Sequence, residues 1–203
     1  MQYILVVLAA YVLGSSSMAF YLAKLKNVDI RKNGTGNLGA SNTTVLLGWW
    51  SGILVFIHDV GKGILAVWLS QKLFPELPYI GYAAGVACAL GHIFPFYLGF
   101  RGGKGFAAYF GMTLALNWKI GLMVALVAVI VTVVTDYIAL AATATVLWVP
   151  AWFGYAEQSL APAAILLVLT AVMLFKHKEN YRRMLRHEEI GLRSTIKGKN
   201  RVK

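Results

Sequence analysis

The sequence predicts an all-α membrane protein: a polytopic helical bundle of seven transmembrane helices, with the N-terminus outside and the C-terminus cytoplasmic. Three observations lead there. First, 59% of the 203 residues are hydrophobic and 13% are charged, about half the charged fraction of an ordinary soluble domain. Second, apolar stretches recur along the whole chain, at 3–22, 43–57, 60–74, 79–98, 105–117, 119–134, 137–154 and 160–176. Third, the net charge of +11 is clustered rather than spread. Sixteen of the nineteen Lys and Arg fall at 24–32, at 101–104 and from 176 onward. A basic excess often marks a nucleic-acid binder, but cations gathered between apolar runs follow the positive-inside rule. The expected partners therefore include membrane lipids and no nucleic acid.

The elements follow in order. Tyr3–Leu22 is about 20 residues, which at roughly 1.5 Å per residue reaches about 30 Å, enough to span. No basic region precedes it, so it does not read as a cleaved signal peptide, and Lys24 and Lys26 behind it place the N-terminus outside. The basic segments 24–32 and 101–104 share one side, so an odd number of crossings separates 22 from 79. The two apolar stretches in that interval are joined by His58-Asp59-Val60-Gly61-Lys62-Gly63. The expectation is a partly immersed 43–57, with 60–74 as the crossing. Polar backbone at membrane depth is tolerated only when buried in protein or beside water. Five crossings follow instead if 105–134 forms re-entrant elements or one long broken helix. Trp49, Trp50, Trp118, Trp148 and Trp152 mostly fall near predicted helix ends, as an aromatic belt. Residues 1–189 read as a single membrane domain and 190–203 as a basic cytoplasmic tail. Cys88 lies in an apolar run, cannot form an intramolecular disulfide and reads as a core residue.

Three polar clusters carry the chemistry. In Asp29 to Asn42, three glycines, three asparagines, Thr35 and Ser41 lie within ten residues. Glycine lets backbone N–H groups turn toward an anion, and a helix starting immediately afterwards favours a phosphate. The second cluster runs from Gly91 to Gly105. Its Arg101-Gly102-Gly103-Lys104-Gly105 stretch sets two cations around a permissive backbone, a phosphate grip without Walker spacing. His92 sits near the end of a span, as a functional group or as a helix-end histidine bonded to a carbonyl. In the third cluster, Lys176, Asn180 and Arg183 share a helix face, with His177 close by; an amphipathic juxtamembrane helix has the same pattern. Asp59 and Lys62, three apart, are each other's expected partners, as an ion pair or as a substrate contact.

Together these clusters resemble the three cytoplasmic motifs of the bacterial acyl-phosphate-dependent glycerol-3-phosphate acyltransferase family. Residues 34–42 are similar to its GSGNxGATN motif, 91–105 to its GHxFPxxxxFKGGKG motif, and 176–184 to its RHxENIxRL motif. Asp59 to Gly63 fits its DxxKG element, and order and spacing agree from end to end. Thr35 and Ser41 exchange one hydroxyl residue for another, Val45 stands where arginine is common, and His187 where glycine is common, with Glu189 kept.

The resemblance implies acyl transfer from acyl phosphate to the 1-hydroxyl of glycerol 3-phosphate, giving lysophosphatidic acid and phosphate, at the cytoplasmic face of a bacterial inner membrane. Expected catalytic residues are Lys104, His177, Asn180 and His92. Expected substrate contacts are Thr35, Gly36, Asn37, Gly39, Ser41, Asn42, Asp59, Lys62, Arg101, Gly102, Gly103, Gly105 and Arg183. His177, His92 or a substrate phosphate oxygen takes the proton. No cofactor is expected, and no His/Cys/Asp/Glu set has metal-ligand spacing. The HxxxxD pair of thioester-dependent acyltransferases is absent: the residues five after His58, His92, His177 and His187 are Gly63, Tyr97, Arg182 and Leu192. The rival reading, a small transporter of anions or phosphate esters, would show paired repeats and a midplane site; the sequence shows neither.

Overall fold

The computed structural model describes residues 1–191; most of the expected tail, from 192 onward, lies outside the described residues. Every regular element among them is helical. Six helical segments are long and apolar enough to cross a membrane, and Phe106–Leu116 is a shorter apolar helix. The chain divides into two compact units, Met1–Asn117 and a second beginning at Trp118.

In the first unit, the opening apolar run is not one helix. α1 (Gln2–Ser15) and α2 (Met18–Leu25) are separated at Ser16 and Ser17, whose backbones are extended. The Ser17 hydroxyl caps α2 by accepting from the Phe20 N–H. α3 (Ala40–Leu47) follows the first glycine-rich cluster directly, as the sequence suggests. It ends at Gly48, where φ is +87°, a conformation that suits glycine. α4 (Trp49–Leu73) then runs unbroken for 25 residues. The expected partition is therefore corrected: 43–57 and 60–74 are not a partial element and a separate crossing. The helix breaks at Gly48, and Asp59 and Lys62 lie in the middle of a continuous span.

α5 (Ile80–Ile93) is 14 residues long, about 21 Å. A 3-10 turn, Phe96–Leu98, follows it, and then α6 (Phe106–Leu116). Small residues bring these helices together, as membrane packing without a hydrophobic driving force requires. A Cβ on Gly14 would strike the Cys88 backbone, and one on Gly91 the Tyr11 carbonyl, which fixes α1 against α5. Gly63 meets the Ala108 carbonyl and Gly111 meets that of Val60, which fixes α4 against α6.

The second unit holds α7 (Trp118–Thr135), α8 (Ile138–Ala156) and α9 (Leu160–Leu185). α8 carries Pro150 inside it. Proline has no N–H, so the Val146 carbonyl, four residues back, loses its helical partner. Thr170 of α9 supplies a hydroxyl 3.0 Å from that oxygen. Freed backbone groups at membrane depth are satisfied in this way by neighbouring helices.

Candidate active site

The second cluster is built on the end of α5. After the 3-10 turn the chain reverses through Gly99 and Phe100, both at positive φ. It then lies back on the helix: Gly102 N–H donates to the Ile93 carbonyl and Gly103 N–H to the His92 carbonyl, both at 3.1 Å. These bonds satisfy carbonyls that a helix C-terminus leaves unpaired. The same bonds occupy the Gly102 and Gly103 amides, so neither amide is aimed at an anion as the glycine-rich pattern suggests. Glycine is needed at 103 for another reason. A Cβ there would overlap the Nε2 edge of the His92 ring. Arg101 is exposed and Lys104 partly buried, and α6 starts two residues after Lys104.

Beneath this loop lies a buried ionisable network. Asp59 and Lys62, 2% and 4% exposed, form an ion pair of 2.8 Å between Lys62 Nζ and Asp59 Oδ1. Lys62 Nζ also lies 2.9 Å from His92 Nδ1 and donates to the Ser16 carbonyl at 2.9 Å. The break between α1 and α2 is what leaves that carbonyl available. Lysine has three N–H donors and no acceptor, so all three are committed here. His92 Nδ1 faces both this ammonium and, at 3.3 Å, Asp59 Oδ1; accepting from Lys62 leaves the ring proton on Nε2. Asp59 Oδ1 also contacts His58 Nδ1 at 3.2 Å, and His58 Nε2 lies 3.1 Å from the Ser16 hydroxyl.

The first cluster is organised by Asn42, in the first turn of α3. Its Oδ1 accepts from Thr35 N–H at 2.8 Å, and its amide faces the carbonyls of Ile30, Asn33 and Asn37 at 3.0–3.3 Å. The buried Asn42 side chain is thus spent on closing the loop. Gly34 and Gly36 turn the chain with φ of +60° and +69°, and Gly36 N–H donates to the Asn33 carbonyl. Ser41 is exposed, while Thr35, Gly36, Asn37 and Gly39 are partly buried at the same end of α3.

The third cluster is the end of α9. His177 and Asn180, 5% and 4% exposed, lie three residues apart on one face. The Met173 carbonyl lies 2.8 Å from His177 Nδ1, so that nitrogen carries the proton and Nε2 is the acceptor of the neutral ring. Glu189 folds back past the helix end. Its two oxygens accept from Asn180 Nδ2 and Arg183 Nε, each at 2.6 Å. These are short, charge-assisted bonds that fix both side chains.

The pattern described as "Glycerol-3-phosphate acyltransferase" matches residues 4–187. The chain belongs to the glycerol-3-phosphate acyltransferase family. A glycerol-3-phosphate acyltransferase of Prochlorococcus marinus (strain MIT 9215) is 36% identical over 189 residues, 92% of this chain and 95% of that one. One from Halalkalibacterium halodurans is 35% identical over 190 residues, 89% of this chain and 91% of that one. Among solved structures, PlsY, an integral membrane glycerol 3-phosphate acyltransferase, matches in its glycerol 3-phosphate form with a TM-score of 0.87. The identity there is 32%, covering 95% of this chain and 96% of that chain. Its lysophosphatidic acid form matches with a TM-score of 0.84 and 31% identity. Family membership and the multi-pass helical fold make this chain an integral membrane acyltransferase.

Within the first unit, the structure joins the Asp59–Lys62 pair to His92, and through His92 to the 102–103 loop. Sequence reading named His92 separately from the pair and missed Ser16 and His58. It also passed over Glu189 as a site residue. A carboxylate six residues beyond Arg183 was the signal that could have found it.

Proposed function

We propose that this acyltransferase moves a fatty acyl group from acyl phosphate to the 1-hydroxyl of glycerol 3-phosphate, releasing phosphate, with its polar clusters on the cytoplasmic side of a bacterial inner membrane. The observation that carries this reading is the family match over residues 4–187. It takes in all three polar clusters. The placement follows from the clustered cations, with the short α6 counted as the seventh crossing. On this reading Lys104 and Arg101, beside the N-terminus of α6, hold one phosphate and offset the charge that builds as the leaving group departs. Thr35, Asn37 and Ser41, at the start of α3, hold the second substrate on a loop whose shape Asn42 sets, and aim its hydroxyl at the acyl carbon. His177 and Asn180 act from α9, with Arg183 beside them. His177 Nε2 is the protein acceptor suited to the hydroxyl proton; a phosphate oxygen of the substrate is the other.

Orthophosphate is a good leaving group, so the step needs only positioning and charge. The test is product formation by purified protein from acyl phosphate with and without glycerol 3-phosphate. Lys104→Ala is expected to lower kcat/KM by about 10²-fold or more, the scale of losing one preorganised charge-stabilising donor. Wild-type turnover in that variant defeats the assigned role of Lys104. Phosphate release that ignores glycerol 3-phosphate defeats the proposed reaction.

A further inference from the structure

Asp59 and Lys62 raise a problem for any reading that gives them a substrate. Their side chains are closed off by protein, and the three donors of Lys62 end on Asp59, His92 and the Ser16 carbonyl. His92 has the same difficulty as a base. Its Nδ1 lone pair faces the Lys62 ammonium, and its Nε2 edge lies under Gly103.

We propose that Asp59, Lys62 and His92 are positioning residues: one buried ion-pair network, anchored on the Ser16 carbonyl at the break between α1 and α2, that holds His92 so that its ring and carbonyl fix the Gly102–Gly103 backbone and thereby aim Lys104. The inference rests on the anion-binding role given above to Lys104. Each link is a close approach between named groups. Lys62 is held between Ser16 O and Asp59 Oδ1. It donates to His92 Nδ1, which sets the ring angle about Cβ. The ring's Nε2 edge supports Gly103 from below, and the His92 carbonyl accepts the Gly103 N–H. Lys104 is the next residue. Asp59 is steadied from its other side by His58 Nδ1. The ammonium sits among a carboxylate, an imidazole and a carbonyl. Loosening the network displaces the Lys104 loop, and a displacement of about 1 Å costs on the order of 10²-fold in rate or binding.

Two substitutions discriminate between roles. Lys62→Arg keeps the charge but cannot fit three donors into a cage sized for an ammonium. It is expected to raise KM for one phosphate substrate at least tenfold and leave the other within twofold. Wild-type KM values for both would mean that charge alone suffices, and would overturn the proposal. His92→Asn keeps an acceptor where Nδ1 stands and removes any base. It is expected to reduce kcat less than tenfold, whereas His92→Leu loses more than a hundredfold. Equal losses in the two variants, with general-base contributions running about 10²–10⁴-fold, would overturn the proposal in favour of a base.

A readout independent of activity separates this inference from the reaction itself. A spin label on Phe100→Cys, in a Cys88→Ala background, reports the mobility of the exposed loop turn. Lys62→Gln is expected to sharpen its spectrum, and an unchanged spectrum refutes the positioning role even if the protein turns over nothing. Where Lys62→Gln yields no monodisperse protein, the isosteric Asp59→Asn carries the same expectation.

Discussion

Thr170→Val removes one hydroxyl without changing the shape of the side chain, and the structure states what that hydroxyl does. Pro150 leaves the Val146 carbonyl without its helical N–H, and Thr170 Oγ1 stands 3.0 Å away. The same oxygen is 3.1 Å from the Leu166 carbonyl, but that group lies in an uninterrupted part of α9, where the i+4 N–H already serves it. The proton therefore contributes most at Val146. Both residues are buried. A buried acceptor left bare costs about 1–3 kcal/mol, while interhelical hydrogen bonds in membranes average about 0.6 and reach about 1.7 kcal/mol. The expected loss is thus about 1 kcal/mol. Pro150→Ala restores an N–H to Val146, and in that background Thr170→Val should cost little. The assay is reversible unfolding in mixed micelles, run as a double-mutant cycle. Equal losses in the two backgrounds, agreeing within about 0.3 kcal/mol as independent sites do, would refute the reasoning.

Other outcomes follow from the same geometry. Asn42→Leu removes the acceptor for Thr35 N–H and the donors to three carbonyls; it should lower kcat/KM by about 10²-fold, the cost of a misplaced substrate, and steady-state kinetics on folded protein will show it. Glu189→Ala leaves the Asn180 amide and the Arg183 guanidinium without their shared partner. A loss of about 1–3 kcal/mol is expected by micelle unfolding, with Glu189→Gln falling between that variant and the native chain. Gly111→Val drives a side chain into the Val60 carbonyl across the α4–α6 contact. It should destabilise by about 1–3 kcal/mol or more, read by the same assay, while the exposed substitution Gly61→Ala leaves stability nearly unchanged.

Hydropathy reads the apolar spans because every backbone group in lipid must be satisfied within a helix. It fails where polar residues find partners far along the chain. His58 to Gly63 looks like a loop when each residue is weighed alone. The helix continues through it because Asp59 and Lys62 meet each other one turn apart and meet His92 thirty residues on. No local pattern contains that encounter. The actual break, at Gly48, carried a glycine signal that the longer apolar run concealed. Ser16 and Ser17 are similar: serines in an apolar run give little warning that the carbonyl freed at Ser16 is met by Lys62, forty-six residues on. The density of Gly and Asn at 33–42 was readable as a shaped loop. Which side chain shapes it was not, because Asn37 and Asn42 differ only in burial, and burial is set by α3. For the same reason the Gly102–Gly103 pair read as an anion cradle, although its amides are consumed by the end of α5.

The severed first span has a bearing on how the protein is made. Synthesis runs from the N-terminus, so the Ser16 carbonyl enters the bilayer forty-six residues ahead of Lys62 and some seventy-five ahead of His92. Until those arrive, an interrupted backbone has nothing but lipid or a trapped water to answer it. The N-terminal segment is therefore a latch that waits open, and it can shut only when the fourth and fifth helices have been delivered beside it.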